Sequence, residues 1–264
     1  IPEGSSASDA LANATDLARH AERWGYHRYW FAEHHNSTGI ASSATAILIG
    51  HVANATSKIR VGSGGIMLPN HAPLMVAEQF GTLDALFPGR IDLGVGRAPG
   101  GQPISSAAIS APRQTVPSEY YPSQTQDLIG YLSNNLPEDH PYSQAVVVPT
   151  YVGAPPVWML GSSDGSAEMA GVLGAGFVLA LFIGTHDRPP EIIQRYRKAF
   201  KQGGSLDKAE AIIAVASICA DSKEEAELIA SSHTYWKVQA FRHGKIDSFF
   251  SPEEVMDKKK QLSL

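Results

Sequence analysis

The sequence predicts an α/β fold of the TIM (β/α)8 barrel class, and three observations carry that expectation. Amphipathic helical stretches alternate with short apolar runs, the pattern of a parallel sheet wrapped in helices. The length of 264 residues is close to the about 250 that such a barrel needs. An apolar fraction of 43% with 18% charged residues supplies a large core in an otherwise ordinary globular composition.

The first helix is expected over Ser8–Trp24, with Ala10, Ala14, Leu17, Ala18, Ala21 and Trp24 on one face and Gly25 where a C-cap belongs. A strand Arg28–Ala32 follows, then a helix Ser43–Ala55 and a strand Ile59–Ser63. Pro73 opens the next helix, which carries Val76, Phe80, Leu83 and Leu86 until Pro88-Gly89 stops it. The strand Ile91–Val95 comes next. From Ala98 to Ser123 the sequence is rich in Gly, Pro and Ser without period, as expected of a lid-like insertion. A helix Gln124–Asn134 ends it, and Val146–Val148 reads as a short extra strand. The alternation resumes with strand Val157–Leu160, helix Ser166–Leu173, strand Phe177–Phe182, and a helix from Pro189-Pro190 through Ile192, Tyr196 and Phe200. The apolar run Ile212–Cys219 reads as a parallel strand covered on both faces. Ser222 and Glu225 form a capping box for the helix after it.

This gives six core strands where a complete barrel has eight. The expectation is a single barrel domain over residues 1–264 lacking its first and eighth strands, both absences falling at one seam. The opening Ile1-Pro2-Glu3-Gly4 and the helical last segment are read as cut ends.

A net charge of −5 argues against a nucleic-acid surface. Lys258-Lys259-Lys260 lies among Glu253, Glu254 and Asp257 and reads as the solvated face of a helix. One cysteine, Cys219, excludes an internal disulfide framework and suits a reducing compartment. With no apolar stretch of membrane-spanning length and no signal-like start, the expected location is cytoplasmic.

Barrel chemistry sits at the C-terminal strand ends and the loops after them. The first of those ends is Glu33-His34-His35. A carboxylate beside imidazoles suits proton transfer, with one histidine in the pocket and the other in a structural hydrogen bond. No patterned metal-ligand set accompanies them, and no metal is expected. The second end carries Ser63-Gly64-Gly65, where glycines permit a flat ligand to approach the backbone or simply make a tight turn. Asn70-His71 binds there or caps the next helix. The third end carries Arg97, which needs a phosphate or carboxylate partner, or else a salt bridge to Glu33. Gly161-Ser162-Ser163-Asp164-Gly165-Ser166 precedes a helix and forms a phosphate cradle or an ordinary N-cap, with Asp164 adding unfavourable charge. Together these ends describe a barrel for a flat, phosphorylated cofactor.

Trp30-Phe31-Ala32-Glu33-His34-His35-Asn36 resembles the Glu-His-His stretch of bacterial luciferases and their relatives. Leu68-Pro69-Asn70-His71-Ala72-Pro73, Phe87-Pro88-Gly89-Arg90 through Gly100, and Val157-Trp158-Met159-Leu160-Gly161-Ser162-Ser163 are similar to successive units of the luciferase-like, flavin-dependent monooxygenases. The resemblance covers nearly the whole chain and is tightest over Ala10–Gly100. It implies a TIM barrel using reduced FMN from a separate flavin reductase, dioxygen as co-substrate, and oxidation of a small organic substrate through a peroxyflavin. It also implies His34 and Glu33 as the catalytic pair, and Ser63, Gly64, Gly65, Asn70, Arg97, Gly161, Ser162, Ser163 and Ser166 around the cofactor. Homodimers through barrel helices are common in the family. Gly96 stands where luciferases carry a reactive cysteine, so light emission is not expected. A deazaflavin (F420)-dependent hydride-transfer enzyme of the same superfamily, and a non-catalytic flavin-binding relative, are the alternatives.

Overall fold

The computed structural model describes residues 1, 4–112, 114–150, 153–183, 187–243 and 250–262, without the side chains of 240–243 and 261–262. Six strands form one sheet in the order β1-β2-β3-β4-β5-β6: β1 Arg28–Phe31, β2 Arg60–Met67, β3 Ile91–Gly96, β4 Val157–Gly161, β5 Gly176–Ala180 and β6 Ala211–Ala214. The β1 to β5 pairs are all parallel. Sequential parallel order is that of a β/α barrel, and the six strands are those expected from the sequence. Chain contacts group into two compact units, Ile1–Leu179 with Pro190–Ile212, and Ala180–Pro189 with Ile213–Leu264.

Helix α1 (Ala7–Arg23) starts on a reciprocal Ser6/Asp9 capping box, and Gly25 beyond its end has φ 81°. Glu22 accepts hydrogen bonds from the backbone N–H groups of Ser57, Lys58 and Ile59 at 2.8, 2.5 and 2.9 Å, fastening α1 to the entry of β2. Arg90, just before β3, donates to the carbonyls of Ala53, Thr56 and Ile59 and to the Thr56 hydroxyl. It thereby satisfies the open end of α2 (Thr45–Ala55). Helix α3 (Pro73–Leu86) begins with proline in its first turn, where a missing N–H is harmless.

The core lies between the strands and these helices, with Ile49, Val61, Leu68, Phe80, Ile91, Leu93, Met159 and Phe177 at most 1% exposed. At the N-terminal end of the strands the fully buried carboxylate of Asp92 accepts from Arg28 Nε (3.1 Å), Arg60 Nε and Nη2 (2.9 and 2.7 Å) and Trp30 Nε1 (3.0 Å). A buried carboxylate needs such pairing to remain charged.

Several elements differ from the sequence expectation. β2 runs on to Met67, so Gly64 and Gly65 lie inside the strand at a register irregularity between Ser63 and Ile66. The absence of side chains lets β2 and β3 come together there: a Cβ on Gly94 would sit 2.1 Å from Ser63 O, and one on Gly65 2.7 Å from Gly94 O. The Ala98–Ser123 segment is not structureless. It holds α4 (Pro103–Ser110) and a 3-10 turn (Ser118–Tyr120), and α5 begins at Tyr121 and ends at Leu132. In α4 the buried face is made by Ser106 and Ser110, four residues apart, which hides the helical period from a reading based on apolar residues. No strand forms over Val146–Val148; only Val147 turns toward the core. β6 is shorter than the Ile212–Cys219 run and alternates in exposure, because it is an edge of the sheet rather than a covered strand. Ser222 caps α8 (Lys223–His243) by accepting from Glu225 N at 3.1 Å, while Glu225 returns its bond to Asp221 N. In α9 (Pro252–Leu262) Lys260 pairs with Asp257, and Lys258 lies over the Phe250 ring. Among the described residues no helix is long and apolar enough to cross a membrane.

Candidate active site

The strand ends assemble around Glu33. Beyond β1 the chain turns its carboxylate inward, where it is 1% exposed. One oxygen, Oε1, accepts from His35 Nε2 at 2.7 Å and His71 Nε2 at 2.8 Å; the other accepts from the backbone N–H of Met67 at 3.0 Å. Burial raises the pKa of Glu33, but the bonds from His71, His35 and Met67, with the positive potential of His71, outweigh it and hold the carboxyl below its usual range. Glu33 is therefore a carboxylate whose acceptor oxygens are already in use.

Three loops meet at this point. His35 N donates to Gly100 O at 2.9 Å, Asn70 Nδ2 to Pro99 O at 2.8 Å, and Asn36 Nδ2 to Gln102 Oε1 at 3.1 Å. The loop after β3 is thus stitched to the ends of β1 and β2. Gly100 adopts φ 65°, and a Cβ there would fall 2.6 Å from Met67 Cγ and 2.9 Å from Glu33 O, so this crossing requires glycine.

The sequence-predicted residues distribute unevenly. His34 is half-buried, with its backbone N–H on Ser42 O, and it does not share the Glu33 carboxylate. The structural bond expected of one histidine is made by His35, and His71 adds a second. Ser63 is fully buried and its hydroxyl donates to Gly94 O at 2.7 Å. The Gly64–Gly65 peptide is cis, and a Cβ on Gly64 would meet the Trp30 ring at 3.2 Å, so that indole lies beside the glycine pair.

Asn70 does not cap α3. It lies in a 3-10 turn (Leu68–Asn70), and the N-cap residue is Ala72, which has no side-chain bond. Arg97 is exposed and makes no salt bridge to Glu33 or to any other acid among the described residues. The buried hydroxyl of neighbouring Tyr121 donates to Val95 O, and burial pushes its pKa up.

At α6 (Asp164–Val172) the N-cap reading holds for the side chains. Ser163 and Ser166 cap one another, and Ser166 Oγ lies so close to Gly161 that a Cβ there would be 2.2 Å away. Asp164 pairs with Arg195 at 3.3 Å, which offsets the charge that weighed against an anion at this helix start. Ser162, half-buried, precedes the cap. No group of three or more His, Cys, Asp or Glu side chains arranged to hold a metal occurs among the described residues.

The residues missed by sequence reasoning are His71 as a partner of Glu33, and the part that His35 plays with it. The signal lay in adjacency: β1 and β2 are neighbouring parallel strands, so residues just past each end meet.

A family model described as luciferase-like monooxygenase matches residues 2–261. The chain is 42% identical over 276 residues to a protein named luciferase-like monooxygenase from Escherichia coli (strain K12), covering 100% of this chain and 80% of that protein. It is 42% identical over 230 residues to N-acetyl-S-alkylcysteine monooxygenase of Bacillus subtilis (strain 168), covering 86% of this chain and 67% of that one. The crystal structure of apo-MsnO8 superposes with a TM-score of 0.84 at 34% identity, covering 98% of this chain and 76% of that chain. Two more distant structures share the fold. The oxygenating constituent of 3,6-diketocamphane monooxygenase from Pseudomonas putida, in complex with FMN, has a TM-score of 0.63 at 19% identity, covering 91% and 69% of the two chains. An F420-dependent secondary alcohol dehydrogenase has a TM-score of 0.64 at 16% identity, covering 94% and 77%.

Proposed function

Because the chain belongs to the luciferase-like monooxygenase family, we propose that it binds reduced FMN and uses dioxygen to oxidise a small organic substrate. The observation that carries this reading is Arg97, exposed and without an ion pair among the described residues, at the same strand ends as the Glu33–histidine cluster. These residues fit an anionic cofactor: an exposed guanidinium without an ion pair among the described residues, and a helix start whose own acid is paired with Arg195.

In this reading Gly64, Gly65 and the backbone at Ser63 would lie against the ring, and Arg97 would hold an anionic group. Gly161, Ser162, Ser163 and Ser166 would present the α6 start to phosphate, and Asn70 would fix the loop through Pro99. The bound reduced flavin supplies the electrons with which dioxygen is activated. The protein's part is to position, to exclude water and to move a proton. His34 transfers that proton, while Glu33 stays ionised and holds the loops. Residues 98–123 act as cover over the strand ends of one barrel domain. A separate flavin reductase delivers the reduced cofactor, and the expected setting is the cytoplasm. The thioether compound in the Bacillus relative's name makes S-alkyl compounds the first substrates to screen.

Anaerobic titration with reduced FMN and, in parallel, reduced deazaflavin tests the cofactor. Tight FMN binding followed by oxygen-dependent absorbance changes supports the monooxygenase. Preference for the deazaflavin, with no reaction on admitting oxygen, would turn the reading to hydride transfer.

A further inference from the structure

We infer that His71 is a second proton-holding side chain of the site, its ring fixed by Glu33 so that Nδ1 is the nitrogen left to take a proton. This deepens the monooxygenase reading and rests on it. Glu33 is ionised and acceptor-only, so each imidazole that touches it must present an N–H. Both do so through Nε2. A neutral imidazole carries one N–H, so Nδ1 of each ring is then a lone pair. A buried carboxylate behind an imidazole sets the tautomer and stabilises the imidazolium formed when the ring takes a proton.

The two rings are not equivalent. His35 is 16% exposed. A Cβ on Gly101 would lie 2.7 Å from His35 O, so that loop is packed tightly against it. His71 is 30% exposed, and no hydrogen bond reaches its Nδ1 among the described residues. Its backbone is pinned on both sides, N–H to Leu68 O at 3.0 Å and carbonyl to Gln124 Nε2 at 3.4 Å. The ring is therefore held in place while one nitrogen stays accessible, just past the strand that carries Gly64–Gly65.

Its ionisable surroundings are few. The acid facing it is Glu33, with His35 across the same oxygen. Of the elements packed on the 3-10 turn Leu68–Asn70, α4 carries no titratable side chain. On α5 the Tyr121 hydroxyl is committed to Val95 O, and Asp127 lies 3.4 Å from His140. In the step assigned to His71 an X–H bond of the reacting partner breaks, its electron pair stays on X, and the Nδ1–H bond forms. Glu33 balances the resulting charge, and the proton returns to solvent. Glu33 is thus a positioning residue acting through His71.

The test uses the full chain labelled with 15N-histidine, with the His71 signals assigned by comparison with His71→Gln. At the alkaline end of the ring's titration, Nε2 should be protonated and Nδ1 bare, and Glu33→Gln should abolish that preference. His71→Gln keeps an N–H for Glu33 but cannot hold a proton. It should therefore bind reduced FMN within about threefold of the parent while kcat falls about 100-fold, the usual scale for losing a positioned acid or base. An Nδ1–H tautomer in the parent, or parental kcat in His71→Gln across the pH range, would overturn the inference. Loss of activity in His34→Ala beside parental activity in His71→Gln would do the same while leaving the monooxygenase intact. Failure of the parent to bind flavin would defeat the monooxygenase reading instead, and the tautomer alone would then decide whether Glu33 fixes His71.

Discussion

Glu33 and His34 are consecutive, yet their environments differ completely. One is 1% exposed with three donors; the other is half-buried and shares none of them. This separation makes His34→Ala informative: flavin binding should persist, and turnover should fall about 100-fold or more. Equal turnover in variant and parent, measured at saturating reduced flavin, would remove His34 from the chemistry. The Glu-His-His stretch is legible in the sequence because carboxylate and imidazoles at a strand end are rare and purposeful. His71 was legible only as part of Asn70-His71 before a proline, where capping is the ordinary reason for such residues. Pro73 at the first helical position and an unbonded Ala72 at the N-cap show why that reason fails here. The contact that matters is with a residue 38 positions away, and side-chain spacing within one element carries no record of it.

At the scale of elements, the helices are easy to locate because long periodic stretches outvote single residues. The strands are harder at their ends. β2 continues through Gly62-Ser63-Gly64-Gly65, a composition that in isolation signals a turn, because β3 offers Gly94 opposite and the two backbones close on each other. Gly94→Ala should therefore be destabilising by about 1–3 kcal/mol or more, as overpacking in a closed core is. Urea denaturation against the parent checks it. Ser63→Ala tests the same approach more gently, removing one buried hydroxyl bond to Gly94 O, at about 1 kcal/mol. Glu22 joins two elements through three backbone N–H groups. Glu22→Ala should cost about 1.5–3 kcal/mol, the range for hydrogen bonds to a charged group. A loss below about 0.5 kcal/mol in the same denaturation assay would show that water replaces the carboxylate.

At the scale of the molecule, acid should find two weak points. Burial works against ionisation of both Glu22 and Glu33, but their hydrogen bonds prevail and lower both from the ordinary 4.5. A lowered carboxyl contributes stability that is complete above 4.5 and is lost as pH falls below it through the folded-state value. Asp84, raised by burial from 3.8, acts in the opposite sense and loses its small contribution as pH rises past that value. Thermal unfolding followed from pH 7 downward should therefore drop most steeply below about 4.5, and Glu22→Gln should flatten that drop. Strand order was legible throughout, since six apolar runs between amphipathic helices admit little else. The charge inside the sheet was not, because Arg28, Arg60 and Asp92 look like surface residues until the strands stand side by side. Those two arginines meet Asp92 at one end of strands whose other end leads to imidazoles on Glu33. One pole is joined by guanidinium on a carboxylate, the other by imidazole and backbone N–H groups on a carboxylate. The same strands are thus riveted at one pole and buttoned at the other. Amide hydrogen exchange, corrected for intrinsic rate, should show this at Met67, whose protection falls as acid protonates Glu33 below about pH 4.5.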